Sequence, residues 1–254
     1  QFSLVRQFLS GLTNQRDDEW GTDRLAFARA VLRAVRAAVG PDAVVALRLS
    51  CDELAPWAGL TPDAAAEVAG QLVADREARV DSLTVVRGSI YTTASTRPDG
   101  HVAPGFNLDL AAAVRLAVRA AVTDRVVPVV AQGSIVDVGQ AEWAVGVGDR
   151  ADAVEMTRAL LADAELTSRL AAGQAARIRP CILCNQTCQV RDVRNPVVTC
   201  VLDPRTGHET QDPDEAATTA AVPSVVTVVG GGIAGMEAAR VAATAGHRVR
   251  LVER

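Results

Sequence analysis

The sequence contains no lysine, and all 26 of its basic side chains are arginine. Alongside a strong alanine bias, this reads as the mark of a GC-rich genome rather than of a function. Aromatic residues make up 3% of the chain, with a single tyrosine, so its core has to be built from Ala, Val and Leu. There is enough apolar material for this, since 49% of residues are hydrophobic. No apolar run approaches the roughly 20 residues of a membrane-spanning helix, and no secretory leader is visible. A cytoplasmic chain with reduced cysteines is therefore expected. Excess positive charge is also missing. The net charge of −4 gives no electrostatic case for a nucleic-acid or anionic-membrane partner. A small-molecule substrate is expected instead.

The length of 254 residues allows one large domain and part of a second. Up to residue 172, helix and strand patterns alternate. Residues 23–39 carry apolar positions at helical spacing and stop at Gly40-Pro41. Residues 43–50 read as a strand buried on both faces. Residues 61–75 have a Thr cap with Pro in the first turn. Strands at 81–88, 126–134 and 151–158 alternate with helices at 108–122, 137–148 and 159–172. This pattern predicts a parallel α/β fold, either doubly wound or half of an eight-stranded barrel. A cysteine segment follows, then a polar, Pro-bearing linker over 209–224. The chain ends in a strand–turn–helix–strand pattern.

Four of the five cysteines fall in "CILCNQTCQVRDVRNPVVTC", residues 181–200. Cys181, Cys184, Cys188 and Cys200 have the spacing C-x2-C-x3-C-x11-C. Four thiolates close a tetrahedral zinc site or hold an iron–sulfur cluster. Three ligands crowded in one loop with a fourth returning later favour the cluster, and zinc stays open. Cys51 lies apart, just after a strand, and reads as a buried inert thiol.

Near the end, Gly230, Gly232 and Gly235 form G-x-G-x-x-G after a strand and at the opening of a helix. Glu253 closes the next strand. Such glycines admit a pyrophosphate to the helix N-terminus, and the acid accepts a ribose hydroxyl. The motif indicates a dinucleotide and does not separate FAD from NAD. Gly133-Ser134 and Thr157-Arg158 end the last two strands of the repeating part. Backbone amides and a guanidinium there suit a phosphate, although an ordinary exit turn with a surface arginine explains them equally well. Tyr91, just after a strand, could donate a proton. His101, His208 and His247 read as surface or loop residues, and Asp17, Asp18 and Glu19 as a solvated approach to a helix.

These pieces in this order resemble one family. "FLSGLTNQRDDEWG" (8–21), "ALRLS" (46–50), "PVVAQGSI" (128–135) and "AVEMTRALLADAEL" (153–166) are similar to the later barrel segments of the old yellow enzyme family. "CILCNQTC" with Cys200 and "DPRTGHE" resembles the cluster loop of its larger members, the 2,4-dienoyl-CoA reductases and trimethylamine dehydrogenases. The sequence is also similar to mycofactocin-associated members. The resemblance implies that residues 1–175 are the C-terminal half of a (β/α)8 TIM barrel holding FMN and substrate. Residues 176–208 would then be a 4Fe–4S segment ligated by Cys181, Cys184, Cys188 and Cys200. Residues 209–224 would be a linker, and 225–254 the start of a Rossmann-like domain for FAD, or for ADP.

In the reductases so resembled, electrons pass from NAD(P)H through FAD and the cluster to FMN, then to an activated alkene such as a 2,4-dienoyl-CoA or enoate. The resemblance assigns Arg48 to the flavin's pyrimidine edge, and Gly133, Ser134 and Arg158 to its phosphate. There are departures from the family pattern. Thr157 stands where the family often has Gly, Ser3 stands at the usual catalytic tyrosine, and Ile90 stands near the reductases' histidine with Tyr91 beside it. An amine dehydrogenase-like enzyme passing electrons to a carrier protein is one alternative. A zinc-bearing nucleotide module without redox chemistry is another. The first residue is Gln and the last follows a strand, so both ends read as cut. The functional molecule is expected to be longer, and this chain alone to be unstable and inactive.

Overall fold

The computed structural model describes residues 3–189, 194, 196–211 and 219–254. The chain divides into two compact units, residues 1–188 and 189–254.

The first unit is a parallel four-stranded sheet in sequential order: β1 (Ala46–Ser50), β2 (Ser82–Val86), β3 (Val129–Gln132) and β4 (Ala153–Glu155). The main connecting helices are α4 (Pro62–Ala74), α6 (Leu108–Ala121) and α7 (Val138–Val145). Each strand is short and β-branched or leucine-rich, and each connection carries a helix, as parallel pairing requires. Leu49, Leu83, Val85, Val129 and Ala131 alternate onto the helix-covered face. The other face carries Arg48, Thr84, Val130, Gln132 and Glu155, none of them fully buried. β1 is therefore two-sided here, unlike the strand buried on both faces that its composition suggests. Arg48 stands opposite Thr84, Thr84 opposite Val130, and Val130 opposite Ala153.

The core is aliphatic, as so few aromatics require. Ala65, Ala69 and Leu72 of α4 and Ala111, Val114 and Val118 of α6 are buried. The two helices pack closely where Gly70 faces the other helix, and a Cβ there would sit 3.4 Å from the Ala121 Cβ. The aromatics gather outside this core, with Phe8 stacked on Phe27 at 4.1 Å and Trp20 edge-on at 5.8 Å.

Three short helices go beyond the sequence pattern: α1 (Leu4–Leu9), α2 (Glu19–Thr22) and α5 (Thr93–Thr96). The N-cap of α2 is Asp18, whose side chain accepts from the Trp20 amide. The helix expected at 159–172 is two helices, α8 (Thr157–Ala162) and α9 (Leu166–Ala171). Asp163 separates them. It is extended, and its buried carboxylate accepts from the Glu165 and Arg179 amides at 3.0 and 2.8 Å. The side chain thus competes with the helix for backbone donors.

The second unit contains β5 (Val225–Val229), α10 (Ile233–Thr244) and β6 (Arg248–Val252), with the two strands parallel. Residues 212–218 of the expected linker, and 190–193 and 195 of the cysteine segment, lie outside the described residues. Among the described residues no helix is long and apolar enough to cross a membrane.

Candidate active site at the strand ends

The C-terminal ends of β3 and β4 and the connection after β2 converge on one group, Arg158. Gly133 has φ +155° and Ser134 φ +54°. Two such residues in succession turn the chain sharply at the exit of β3. A side chain at Gly133 is excluded twice, by its φ and because a Cβ would lie 3.0 Å from the Asn107 Cβ. Asn107, the residue before α6, is buried and donates its Nδ2 to the Gln132 carbonyl at 2.7 Å. Its Oδ1 has no hydrogen-bond partner among the described residues.

Arg158 donates to the Pro98 carbonyl at 2.8 Å, to Asn185 Oδ1 at 2.7 Å and to Ser134 Oγ. All three acceptors are neutral oxygens. The guanidinium is half-buried, and burial pulls it below the ordinary arginine value, with the Cys181 and Cys188 thiols acting in the opposite sense. A partly desolvated cation held by neutral acceptors favours an anion. The turn after β3 thus places the Ser134 hydroxyl against a half-buried cation.

Arg48, on the open face of β1, forms a bidentate pair with Glu155 at the end of β4. Three of its N–H···O contacts there measure 2.9 Å. Thr157 Oγ1 donates to the same carboxylate at 2.8 Å. Strands about 4.8 Å apart would leave three intervals, roughly 14 Å, between β1 and β4 in a flat sheet. Direct contact between these side chains goes with a sheet curved toward the face they share, as in a barrel wall.

Cys181, Cys184 and Cys188 are half-buried at the end of the first unit and Cys200 is half-buried in the second, none of them in a disulfide. The Leu183 amide donates to Cys181 Sγ and the Leu202 amide to Cys200 Sγ, each at 3.4 Å. Burial pushes the Cys188 thiol up, and Arg158 draws it back down. Leu183 and Asn185 both have positive φ, 55° and 50°, so the loop is tightly wound without glycine. The donor set has the chemistry for an iron–sulfur cluster or zinc. Among the described residues no three His, Cys, Asp or Glu side chains are grouped closely enough to hold a metal ion.

In the second unit the glycine turn joins β5 to α10. Gly230 has φ +104°, and a Cβ on Gly235 would fall 1.8 Å from the Gly230 carbonyl oxygen. Glu253 accepts from the Gly231 amide, which holds its carboxyl below the ordinary glutamate range. Tyr91 lies in a single 3-10 turn after β2, Ile90–Thr92, and is 66% exposed, with the Arg6 guanidinium 5.9 Å from its ring centre. His101 is exposed and bonds Asp99, and His247 accepts from the Ser224 amide. Cys51 is fully buried and its thiol is pushed up to about 12, which agrees with an inert thiol.

Sequence reasoning passed over Asn185, Asn107, Glu155 and a buried carboxylate, Glu53. Glu53 is 1% exposed and accepts from Arg6, from Ser10 Oγ and from the Leu60 amide. One signal was available for Glu155, an acid in an otherwise apolar strand.

A curved parallel sheet whose connections all carry helices is the wall of an α/β barrel. Residues 3–177 match the model of the NADH:flavin oxidoreductase / NADH oxidase family, and the chain belongs to that family. It is 38% identical over 257 residues to an N,N-dimethylglycine/sarcosine dehydrogenase from Chromohalobacter salexigens, covering 98% of this chain and 35% of that protein. It is 35% identical over 253 residues to a metal reductase from Desulforamulus reducens, covering 98% of this chain and 36% of that protein. Among solved structures, a 2-naphthoyl-CoA reductase in complex with 2-naphthoyl-CoA superposes with a TM-score of 0.84 at 30% identity, covering 98% of this chain and 36% of that one. The chain thus spans about a third of the length of these relatives. Its first unit is part of a TIM-barrel flavoenzyme fold.

Proposed function

We propose that the protein is a flavin-dependent oxidoreductase that reduces an activated alkene with NAD(P)H, an enoate or enoyl thioester such as a 2,4-dienoyl-CoA. The observation that carries this reading is the cradle of Gly133, Ser134 and Arg158 at the strand ends of a flavin-oxidoreductase barrel. When bound, FMN supplies the two-electron chemistry. The amides of Gly133 and Ser134 and the Arg158 guanidinium hold its phosphate. Arg48 puts positive charge beside the pyrimidine edge, where reduction builds negative charge. Tyr91, on the loop after β2, supplies the proton to the substrate.

The same reading assigns a 4Fe–4S cluster to Cys181, Cys184, Cys188 and Cys200, supported by their spacing and by the N–H···S bonds at Cys181 and Cys200. It also assigns FAD, or ADP, to the turn of Gly230, Gly232 and Gly235, with Glu253 on a ribose hydroxyl. The domain limits follow the sequence: barrel half to 175, cluster segment to 208, linker to 224, nucleotide segment beyond.

The test is anaerobic purification followed by flavin identification, iron and sulfide analysis, and NAD(P)H oxidation with an enone. FMN with about four irons and four sulfides, together with enone-dependent oxidation, supports the reading in full. One zinc and no flavin overturns it. A second reading, oxidation of a secondary or tertiary amine with electrons passed to a carrier protein, is favoured by the likeness to the dimethylglycine/sarcosine dehydrogenase. Amine-dependent reduction of a dye, without enone reduction, selects it. Family membership leaves the non-redox module without support.

A further inference from the structure

Asn185 sits between two of the candidate ligand cysteines, yet its side chain points away from any role as a ligand. It is 8% exposed. Its Oδ1 accepts from Arg158 Nη1 at 2.7 Å, and its Nδ2 donates to the Arg97 carbonyl at 2.8 Å. The neighbouring Pro98 carbonyl accepts from the same Nη1 at 2.8 Å. One amide therefore joins three separate pieces of chain: the connection after β2, the first residues of α8 and the cysteine loop. The backbone is held at φ 50° to place it, a conformation that asparagine tolerates better than most residues.

Both hydrogen-bonding ends of this amide are used, so its orientation is fixed by its partners. A guanidinium carries five N–H donors in a fixed plane. The two acceptors on Nη1 and the Ser134 hydroxyl on the other terminal nitrogen set that plane against the β3 turn. Without Asn185, Arg158 loses one of the three acceptors that aim it, and its long side chain regains rotamer freedom.

We propose that Asn185 is a positioning residue for the flavin phosphate: it orients Arg158 toward the Gly133–Ser134 turn, from within the cysteine loop. The inference rests on the FMN reading above and deepens it. It makes the cysteine loop part of the phosphate site whichever metal the loop carries. Because the asparagine acts on the phosphate alone, its removal should separate FMN from riboflavin, which has the same ring and no phosphate.

The experiment is titration of the flavin-free protein with FMN and with riboflavin, read by quenching of flavin fluorescence, for the wild type and for Asn185→Ala and Asn185→Asp. The alanine variant is expected to bind FMN roughly tenfold more weakly, the scale of a lost hydrogen bond to a charged group, with riboflavin affinity unchanged within about twofold. The aspartate variant is isosteric, so it guards against loss of fold. Its carboxylate neutralises Arg158 and also loses the donor to the Arg97 carbonyl, so FMN is again expected to weaken while riboflavin does not. Equal loss for both flavins, or no loss for either, overturns the inference. A wild type that does not prefer FMN to riboflavin overturns the phosphate reading itself.

Discussion

Arg48 and Glu155 meet through paired N–H···O contacts of 2.9 Å, although they lie on the first and last strands of the sheet. If Arg48 stabilises reduced flavin, the carboxylate beside it offsets part of that charge. Glu155→Gln should then raise the FMN midpoint potential by roughly 30 mV, equivalent to a tenfold tighter hold on the reduced form. Dye-coupled reduction measures it. The shift should vanish when Arg48 is also replaced by Gln, and a shift toward negative values contradicts the assignment.

Gly133 tolerates no side chain, on two independent grounds. Gly133→Ala should cost about 1–3 kcal/mol through its φ of +155°, and more through the contact with Asn107. Flavin content after purification should fall at least severalfold. Gly173→Ala, at another positive-φ glycine with no neighbour within 4 Å of the added Cβ, should leave flavin content unchanged. The pair of variants separates backbone strain from damage to the cradle.

Asp152 accepts from the Val129 amide and Arg115 Nε, both at 2.8 Å, and from Arg119 at 3.0 Å. Burial raises its carboxyl, but the Val129 amide and Arg115 outweigh that and leave it below the ordinary carboxylate value. A carboxyl depressed by folding stabilises the fold above its unfolded value, about 3.9, and the contribution is lost as pH falls through the lower folded value. Asp152→Asn should cost about 1 kcal/mol at pH 7 in urea unfolding. The gap from wild type should narrow steadily below about pH 4.

Cys51 shows the opposite sign. Burial holds its thiol near 12 in the folded protein, so it stays protonated where an ordinary thiol ionises. Its contribution to stability is full below the ordinary value, about 8.5, and falls as pH rises toward 12. In chelator-treated protein, four thiols should react promptly with a thiol reagent at pH 8, and the fifth only on unfolding. Five prompt thiols would contradict this burial.

Much of this architecture is legible in the residues themselves. Thr61 and Pro62 announce the start of α4, where Thr61 caps the helix and Pro62 opens it. Runs such as 83–86 and 129–131 announce strands because β-branched residues suit a pleated, buried surface. The glycines of the β3 exit and of the terminal turn mark places where a Cβ does not fit, and the structure finds Gly133 and Gly230 at positive φ and Gly235 crowded, while Gly232 has open space around it. What stays hidden depends on partners far along the chain. Asn185 matters through Arg97, 88 positions away, and Arg48 meets Glu155 across 107 positions. Local periodicity carries no trace of either. The break between α8 and α9 escapes for a similar reason, since Asp163 is held by Arg179 from beyond both helices.

The packing of α4 on α6 sets which mutations this barrel half can absorb. Ala65, Ala69 and Ala111 are fully enclosed, and an alanine can be truncated only to glycine. The deep voids would come from the leucine and valines beside them, Leu72, Val73, Val114 and Val118, which are large side chains fully buried on these helices. Growth at the enclosed alanines is the matching hazard: a side chain enlarged at Ala65, Ala69 or Ala111 has no solvent to turn to, and the strain falls on backbones that both lead to the strand ends, whereas a methyl at Gly70 would rest in ordinary contact with Ala121. Exchanges that keep the volume among Ala, Val and Leu should be the ones this interface absorbs. Aromatic residues would be admitted only at the periphery, where Phe8, Trp20 and Phe27 now lie.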